Sequence, residues 1–166
     1  MVTPSRRTNP SVEQNLFENG FEYEFFQAVR LLSRMYPRCR EVGGTAKPAE
    51  EVARFGAELT MSFPASAVHD VERRSASADP PKVTVAFLAL TGTQGALPLW
   101  YTEQLMARRW EKDDTFAAFL DIFNHRLISL FYRAWKKHRP AVLYEQSESG
   151  RALPDSFTHC LFDLIG

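Results

Sequence analysis

The chain has 166 residues, enough for a single domain that buries roughly two thirds of its unfolded surface. Its twenty basic and twenty acidic side chains balance, so bulk charge favours neither nucleic acid nor anionic membrane as a partner. Two cysteines without ligand spacing, an N-terminus without a secretory apolar run and the lack of an apolar segment of ~18 residues predict a cytoplasmic protein that does not insert into a membrane.

The first part of the chain predicts an arm followed by a helix. Residues 1–18 are mostly polar and contain two prolines, which predicts a flexible N-terminal arm, with the folded region running from 19 to 166. The first helix ends near residue 36, before Pro37. Its predicted buried stripe consists of Phe25, Val29, Leu32 and Tyr36.

Between residues 51 and 90 the apolar residues recur with the two-residue period of β-strands. Short strands interrupted by Gly56 and Pro64 are predicted first, and residues 83–90 then form a strand with apolar side chains on both faces. A strand that is apolar on both faces lies inside a sheet. We therefore place residues 83–90 at the centre of a small sheet.

Helices dominate the remainder of the sequence. A glycine turn over residues 91–97 leads into a helix from Pro98 to about Trp110. Asp113 or Asp114 then caps a long helix that Pro140 ends. A mixed segment follows, and a last helix begins near residue 155. Its apolar end, without a following element to cover it, leads us to expect that the chain is a fragment of a longer protein.

The long helix is apolar on two sides, which predicts a position between two neighbours. One stripe, predicted to face the core, consists of Phe116, Leu120, Phe123, Leu127, Leu130 and Ala134. About a third of a turn away lie Ile128, Tyr132 and Trp135, which this stripe cannot bury. We predict that these three residues face a partner protein, since Tyr and Trp are favoured anchors at interfaces.

Three consecutive polar residues, Asn124, His125 and Arg126, interrupt the apolar pattern of this helix. Polar groups are costly to bury without partners. One interpretation is that they join the helix to neighbouring backbone or acids, with Arg126 on a carboxylate for example. The other interpretation is that His125 faces the partner together with Tyr132 and Trp135. The sequence leaves both open.

The motifs for small-molecule chemistry are absent from the sequence. The glycine turn lacks the lysine of a P-loop and the three glycines of a dinucleotide site, so a strand-to-helix connector is favoured over an anion site. Neither metal-ligand spacing nor a nucleophile motif occurs. We predict no cofactor, metal, small-molecule substrate or enzymatic activity.

Two alternative functions stay open at this stage. The first is a small cytoplasmic enzyme with an unrecognised site near the turn from Thr91 to Gly95. The second is a nucleic-acid-binding module that uses the one basic cluster, composed of Arg133, Lys136, Lys137, His138 and Arg139. That cluster also suits the last turn of a helix, where cations favour the negative end of the dipole.

Three segments, in order along the chain, carry a family resemblance. They are residues 25–32, then Thr91 and Gly92 with Gly95, Leu97, Pro98, Tyr101, Thr102 and Glu103, and finally Phe123, Asn124, His125, Arg126 followed by Phe131, Tyr132, Arg133, Ala134, Trp135. In these segments the chain resembles the N-terminal half of TssG, a family of type VI secretion baseplate proteins also called VasB or ImpH.

The predicted elements indicate an α+β fold in which a small sheet of short strands, from about residue 51 to residue 90, packs on the long central helix and its flanking helices. The resemblance implies a structural role. It implies a place in the wedge of a phage-tail-like contractile injection system, assembled at the cytoplasmic face of the inner membrane. TssF, TssK and TssE are the implied partners. The resemblance also implies that the turn region shapes a contact with another baseplate subunit, through Thr91, Gly92, Gly95, Pro98, Tyr101 and Glu103.

Overall fold

The computed structural model describes residues 11–44, 47–73, 80–148 and 156–165. These residues form six α-helices, a short 3-10 helix and three strands, which confirms the predicted α+β class. In chain order they are α1 Val12–Glu18, the 3-10 helix Gly20–Glu22, α2 Phe25–Met35, β1 Arg54–Ala57, β2 Val68–Glu72, β3 Lys82–Val85, α3 Leu99–Trp110, α4 Thr115–Lys137, α5 Pro140–Glu148 and α6 Ser156–Ile165.

The three strands form one mixed sheet in the order β1-β3-β2. Strand β3 pairs parallel with β1 and antiparallel with β2, so it is central, as its apolar faces predicted. It is shorter than predicted because the chain bends after Val85. The bend brings Phe87 and Leu88 against the core from outside the ladder.

Helix α1 corrects the prediction of a flexible arm over residues 1–18. Ser11 and Gln14 form a reciprocal capping box at its start, and Leu16 is fully buried in the core. The Phe17 ring lies under the guanidinium of Arg73, 4.5 Å from it. A mostly polar composition hid the apolar pair that anchors this helix; residues 1–10 lie outside the described part of the chain.

An aromatic cluster joins α2, the sheet and α4 at the centre of the domain. The ring of Phe25 lies 5.6 Å from Phe55, 5.0 Å from Phe87 and 6.3 Å from Tyr132. Burial of one such side chain contributes about 1.5–3 kcal/mol to stability. The predicted stripe of α2 is confirmed at Phe25, Val29 and Leu32, which are buried, while Tyr36 is only half-buried.

The segment after Pro140 is helical, which the sequence did not indicate. Pro140 ends α4 and also occupies the first position of α5, where a missing amide costs nothing. Arg30 of α2 donates to both carboxylate oxygens of Glu145, with 2.8 Å between Nε and Oε2. This donation lowers the pKa of the Glu145 carboxyl and joins α5 to the core helices.

Candidate interaction surface on the long helix

Polar side chains of α4 bind the free edge of strand β1. Since β3 occupies the other edge, the N–H groups of Phe55 and Ala57 point towards α4. Phe55 N donates to Nδ1 of His125 over 3.1 Å, and Ala57 N donates to Oδ1 of Asp121 over 3.1 Å. The helix thus covers an edge that would otherwise be open to pairing with another strand.

Asn124 and His125 complete this inward polar face. Oδ1 of Asn124 accepts from Leu90 N over 3.0 Å, just before the glycine turn. Because Nδ1 of His125 is an acceptor, its ring proton is assigned to Nε2, which lies 3.2 Å from Oε2 of Glu51. The interpretation that these residues join the helix to neighbouring backbone and acids is confirmed, and the placement of His125 on an outer face is wrong.

Arg126 binds backbone carbonyls in place of the carboxylate given as an example. Its Nη1 donates to the carbonyl oxygens of Gly43 and Gly44 over 3.1 and 3.2 Å, and Nη1 of Arg133 donates to Gly43 O over 2.6 Å. Gly43 N in turn donates to Oε1 of the buried Glu51 over 3.2 Å. The loop around Gly43 therefore fixes the middle of α4 from a second side.

The two apolar sides of α4 are reversed relative to the prediction. Ile128 and Tyr132 are fully buried, and the Trp135 ring stacks on Phe26 with 4.3 Å between centroids. The prediction that these three side chains form a flank that their own chain leaves uncovered is wrong. They point inwards because Asn124 and His125, on the same side of the helix, must reach the sheet.

The predicted core stripe is instead largely exposed. Phe123 is 48% exposed, Leu127 45% and Leu130 42%, Ala134 is also exposed, and only Leu120 of this set is buried. The exposed large apolar residues of α4 make a continuous surface, here called the α4 stripe. It consists of Phe119, Ile122, Phe123, Leu127, Leu130 and Phe131. Monomeric proteins rarely leave such a contiguous face in water unless it binds something.

The glycine turn is a closed connector tied to α3 and α4. Gly92 adopts a φ of 98° and its N–H donates to Oγ1 of Thr102 over 3.0 Å, while Leu97 N returns to Leu90 O over 2.8 Å. A Cβ added at Gly95 would lie 2.6 Å from the carbonyl carbon of Thr91. The turn therefore needs glycine for its shape, which agrees with a connector.

The other residues of the turn region differ in exposure. Thr91 is buried, Tyr101 is half-buried with its ring 6.5 Å from Phe116, and Pro98 and Glu103 are exposed. Helix α3 begins at Leu99, one residue later than predicted, so Pro98 is its N-cap residue and not its first helical residue. The exposed members of this set are therefore free to meet another molecule, whereas Thr91 supports the turn from inside.

A cleft of about 190 Å³ lies between this turn, β1 and the start of α4. Four of its lining side chains are titratable: Lys82, Arg109, Asp114 and Asp121. Asp121 is already engaged by the Ala57 amide, and Arg109 lies 3.9 Å from Asp114. Three of the four charged groups are thus engaged by neighbouring groups, and no described contact pairs an acid with a base for proton transfer, so the cleft gives the enzyme alternative no specific support.

Among the described residues, no group of three or more His, Cys, Asp or Glu side chains is placed to hold a metal ion. Cys39 is half-buried and Cys160 exposed, and both are free thiols. In the same described ranges, the helices are too short or too polar to cross a membrane.

Tyr132 provides a test of the inward face of α4. Its hydroxyl is buried without a hydrogen-bond partner in the described part of the chain, and burial, helped by the nearby Glu41 carboxylate, raises its pKa to about 12. An unpaired buried hydroxyl contributes little, so Tyr132→Phe is expected to keep the free energy of unfolding or to raise it by about 1 kcal/mol at pH 8.

The same substitution changes the response to high pH. The folded protein favours the neutral phenol, so its contribution is fully present below pH ~10, the unfolded pKa, and is lost as pH rises through about 12. Urea unfolding should show the wild type losing about 2 kcal/mol more than Tyr132→Phe between pH 9 and 11.5. Equal losses in the two proteins would mean that the hydroxyl is solvated.

Residues 19–166 match the family model described as type VI secretion, TssG, which defines the chain as a component of the type VI secretion system. The chain belongs to the TssG family, as the three resembling segments indicated. Comparison with curated proteins and with solved structures found no match.

Four features of the surface are not predicted by the sequence patterns. Phe119, Ile122 and Phe131 were not assigned to any surface, and the role of Gly43 in holding the helix was not seen. A signal was present in the spacing of Asp121, Asn124 and His125, which places three hydrogen-bonding side chains on one face of the helix. That face had to find backbone partners, which leaves the opposite face outside.

Proposed function

We propose that this chain is a structural subunit of the type VI secretion baseplate wedge in the cytoplasm, acting through contacts with TssF, TssK and TssE and not by catalysis. Membership of the TssG family supports the setting. The observation that carries the mode of action is the α4 stripe, whose six apolar side chains are 42–56% exposed. Aromatic and aliphatic side chains in such a patch are typical of protein–protein interfaces.

The stripe is presented on a rigid element, which suits a subunit that must fix its partners in place. Helix α4 accepts hydrogen bonds from two β1 amides and donates one from Arg133 to the Gly43 carbonyl, so it is held from two directions. Its outer rings are also ordered, since Phe119 and Phe123 meet edge to face with 5.3 Å between centroids. A preorganised face loses little conformational entropy when a partner binds.

A second contact is proposed at the turn before α3, following the family resemblance. Pro98 at the end of the turn and Glu103 in the first part of α3 are exposed and Tyr101 is half-buried, while Gly92 ties the turn to α3 through Thr102. Thr91 and Gly95 act in this contact by shaping the turn and not by touching the partner.

Phe123→Asp tests the stripe. The substitution puts a charge at the centre of the exposed face, so co-purification with TssF, TssK and TssE is expected to fall at least ~tenfold because a buried unpaired charge disfavours association. Phe63→Asp, a change of the same kind at a loop position that is 83% exposed, is the matched control. Both variants should melt within a few degrees of the wild type, because both side chains face water.

Undiminished co-purification of Phe123→Asp with every one of these subunits would rule out the stripe as the docking face. A loss with Phe63→Asp of the same size would show that any exposed apolar-to-acid change disturbs assembly, which would also contradict the proposal.

A further inference from the structure

The exposed side of α4 carries a seven-residue repeat. Apolar residues alternate at spacings of four and three, with Phe116, Phe123 and Leu130 in one set and Leu120, Leu127 and Ala134 in the other. Such a repeat is the pattern by which one helix packs along another in a coiled coil. Phe123, Leu127, Leu130 and Ala134, the middle and end of the repeat, are exposed in this structure.

Two arginines flank this repeat at equivalent positions. Arg126 and Arg133 each precede an exposed apolar residue of the second set and stand seven residues apart, about 10 Å along the helix. Flanking positions of this kind carry the charges that select a partner helix in coiled coils. Within the described residues neither arginine lies within 4.0 Å of a carboxylate, so no acidic side chain of that part of the chain neutralises their charges.

The two guanidinium groups are also held in position. The hydrogen bonds of Arg126 and Arg133 to the Gly43 carbonyl use Nη1 of each side chain. An arginine has five N–H donors, so Nε and Nη2 are left for a further acceptor. Carboxylates suit this geometry because they accept two parallel hydrogen bonds from one guanidinium.

We propose that the occupant of the α4 stripe is an amphipathic helix of a partner protein with an apolar seven-residue repeat and two acidic residues seven apart on one flank. The apolar repeat packs on Phe123, Leu127 and Leu130, and the acidic residues pair with Arg126 and Arg133. This inference rests on the proposed function, because it names the chemistry of the partner that the stripe receives.

Two other occupants fit the charges less well. Helix α6 of the same chain has exposed apolar residues, but its single acidic residue is Asp163, so it cannot pair with both arginines. A second copy packed antiparallel on the same face would set these arginines against their own counterparts, and like charges at such flanks oppose pairing. A partner helix with two acidic residues on one flank can pair with both arginines and sets no like charges against them.

The wild-type chain and two synthetic helical peptides, about four heptads long, test the charge selection. Both peptides carry leucine at the apolar repeat positions; one has glutamate at the flanking positions and the other lysine. Isothermal titration should show the glutamate peptide binding at least ~tenfold more tightly at low salt, with the difference shrinking as salt is raised. Equal affinities, or binding of neither peptide, would overturn the proposed occupant.

Charge reversal in the protein gives the converse test. Arg126→Glu combined with Arg133→Glu should invert the preference in favour of the lysine peptide, whereas Arg38→Glu, an exposed change outside α4, should leave it intact. Thermal melts report whether loss of the bonds to Gly43 loosens the fold, and the comparison of peptides on the wild type needs no variant. Self-association of the wild type through the stripe would instead identify a second copy as the occupant.

Failure of this inference is distinguishable from failure of the proposed function. If neither peptide binds but Phe123→Asp still abolishes co-purification, the stripe docks a surface other than an acidic helix. If Phe123→Asp has no effect on co-purification, the proposed function of the stripe itself is wrong.

Discussion

His125→Ala is expected to lower the free energy of unfolding by about 2–4 kcal/mol, from an unpaired buried amide and from the cavity left by the ring. The substitution leaves the Phe55 amide without its acceptor and removes the imidazole that lies 3.2 Å from the buried Glu51 carboxylate. An unpaired buried amide alone costs about 1–3 kcal/mol, and a buried carboxylate without its neighbour adds to this. Urea unfolding at pH 7 measures the loss.

His138→Ala is the matched control for this prediction, because His138 lies exposed just beyond the end of α4. It should change stability by less than about 0.5 kcal/mol. A second comparison adds Glu51→Gln to His125→Ala, which replaces the buried carboxyl group with an amide and should recover part of the loss. A cost below about 1 kcal/mol for His125→Ala would show that the edge of β1 does not depend on α4.

Gly43→Ala is expected to cost about 2–4 kcal/mol, from a left-handed backbone and from crowding. Gly43 has a φ of 74°, and an added Cβ would lie 2.9 Å from Cδ of Arg133 and 3.1 Å from the carbonyl oxygen of Ser129. Relief of this contact would push the loop off the helix and weaken the hydrogen bonds to Gly43 O. Thermal and urea unfolding both report the change.

Gly92→Ala separates the two causes. Gly92 also has a left-handed φ, of 98°, but an added Cβ there has the Thr60 carbonyl oxygen at 3.5 Å as its nearest neighbour, an ordinary contact. Its cost should therefore be close to the conformational part alone, about 1 kcal/mol. Equal effects of the two substitutions would mean that the loop at Gly43 yields without strain.

Local patterns predicted the elements of this fold well where one signal sufficed. The apolar faces of residues 83–85 placed β3 at the centre of the sheet, and the stripe of Phe25, Val29 and Leu32 gave the inner face of α2. Helices α1 and α5 were missed for a different reason. Both helices are short and depend on tertiary contacts. Burial of Leu16 holds α1, and the Arg30–Glu145 pair holds α5.

The apolar period of α4 does not show which side of the helix faces the core. A helical repeat states which residues share a face, but a face that binds a partner and a face that enters the core have similar composition. The deciding contacts come from distant parts of the chain, since Phe55 and Ala57 lie more than sixty positions before the side chains that accept their N–H groups. The same distance hid the part played by Gly43 and Glu51.

The most direct test of the account measures the accessibility of the α4 stripe itself. With Cys39→Ser and Cys160→Ser removing the native thiols, Leu127→Cys places one reactive thiol in the middle of the stripe. We expect maleimide to label it readily in the free chain and at least ~tenfold more slowly in the assembly with the other baseplate subunits. Equal labelling rates in the two states would contradict the claim that this face docks a partner.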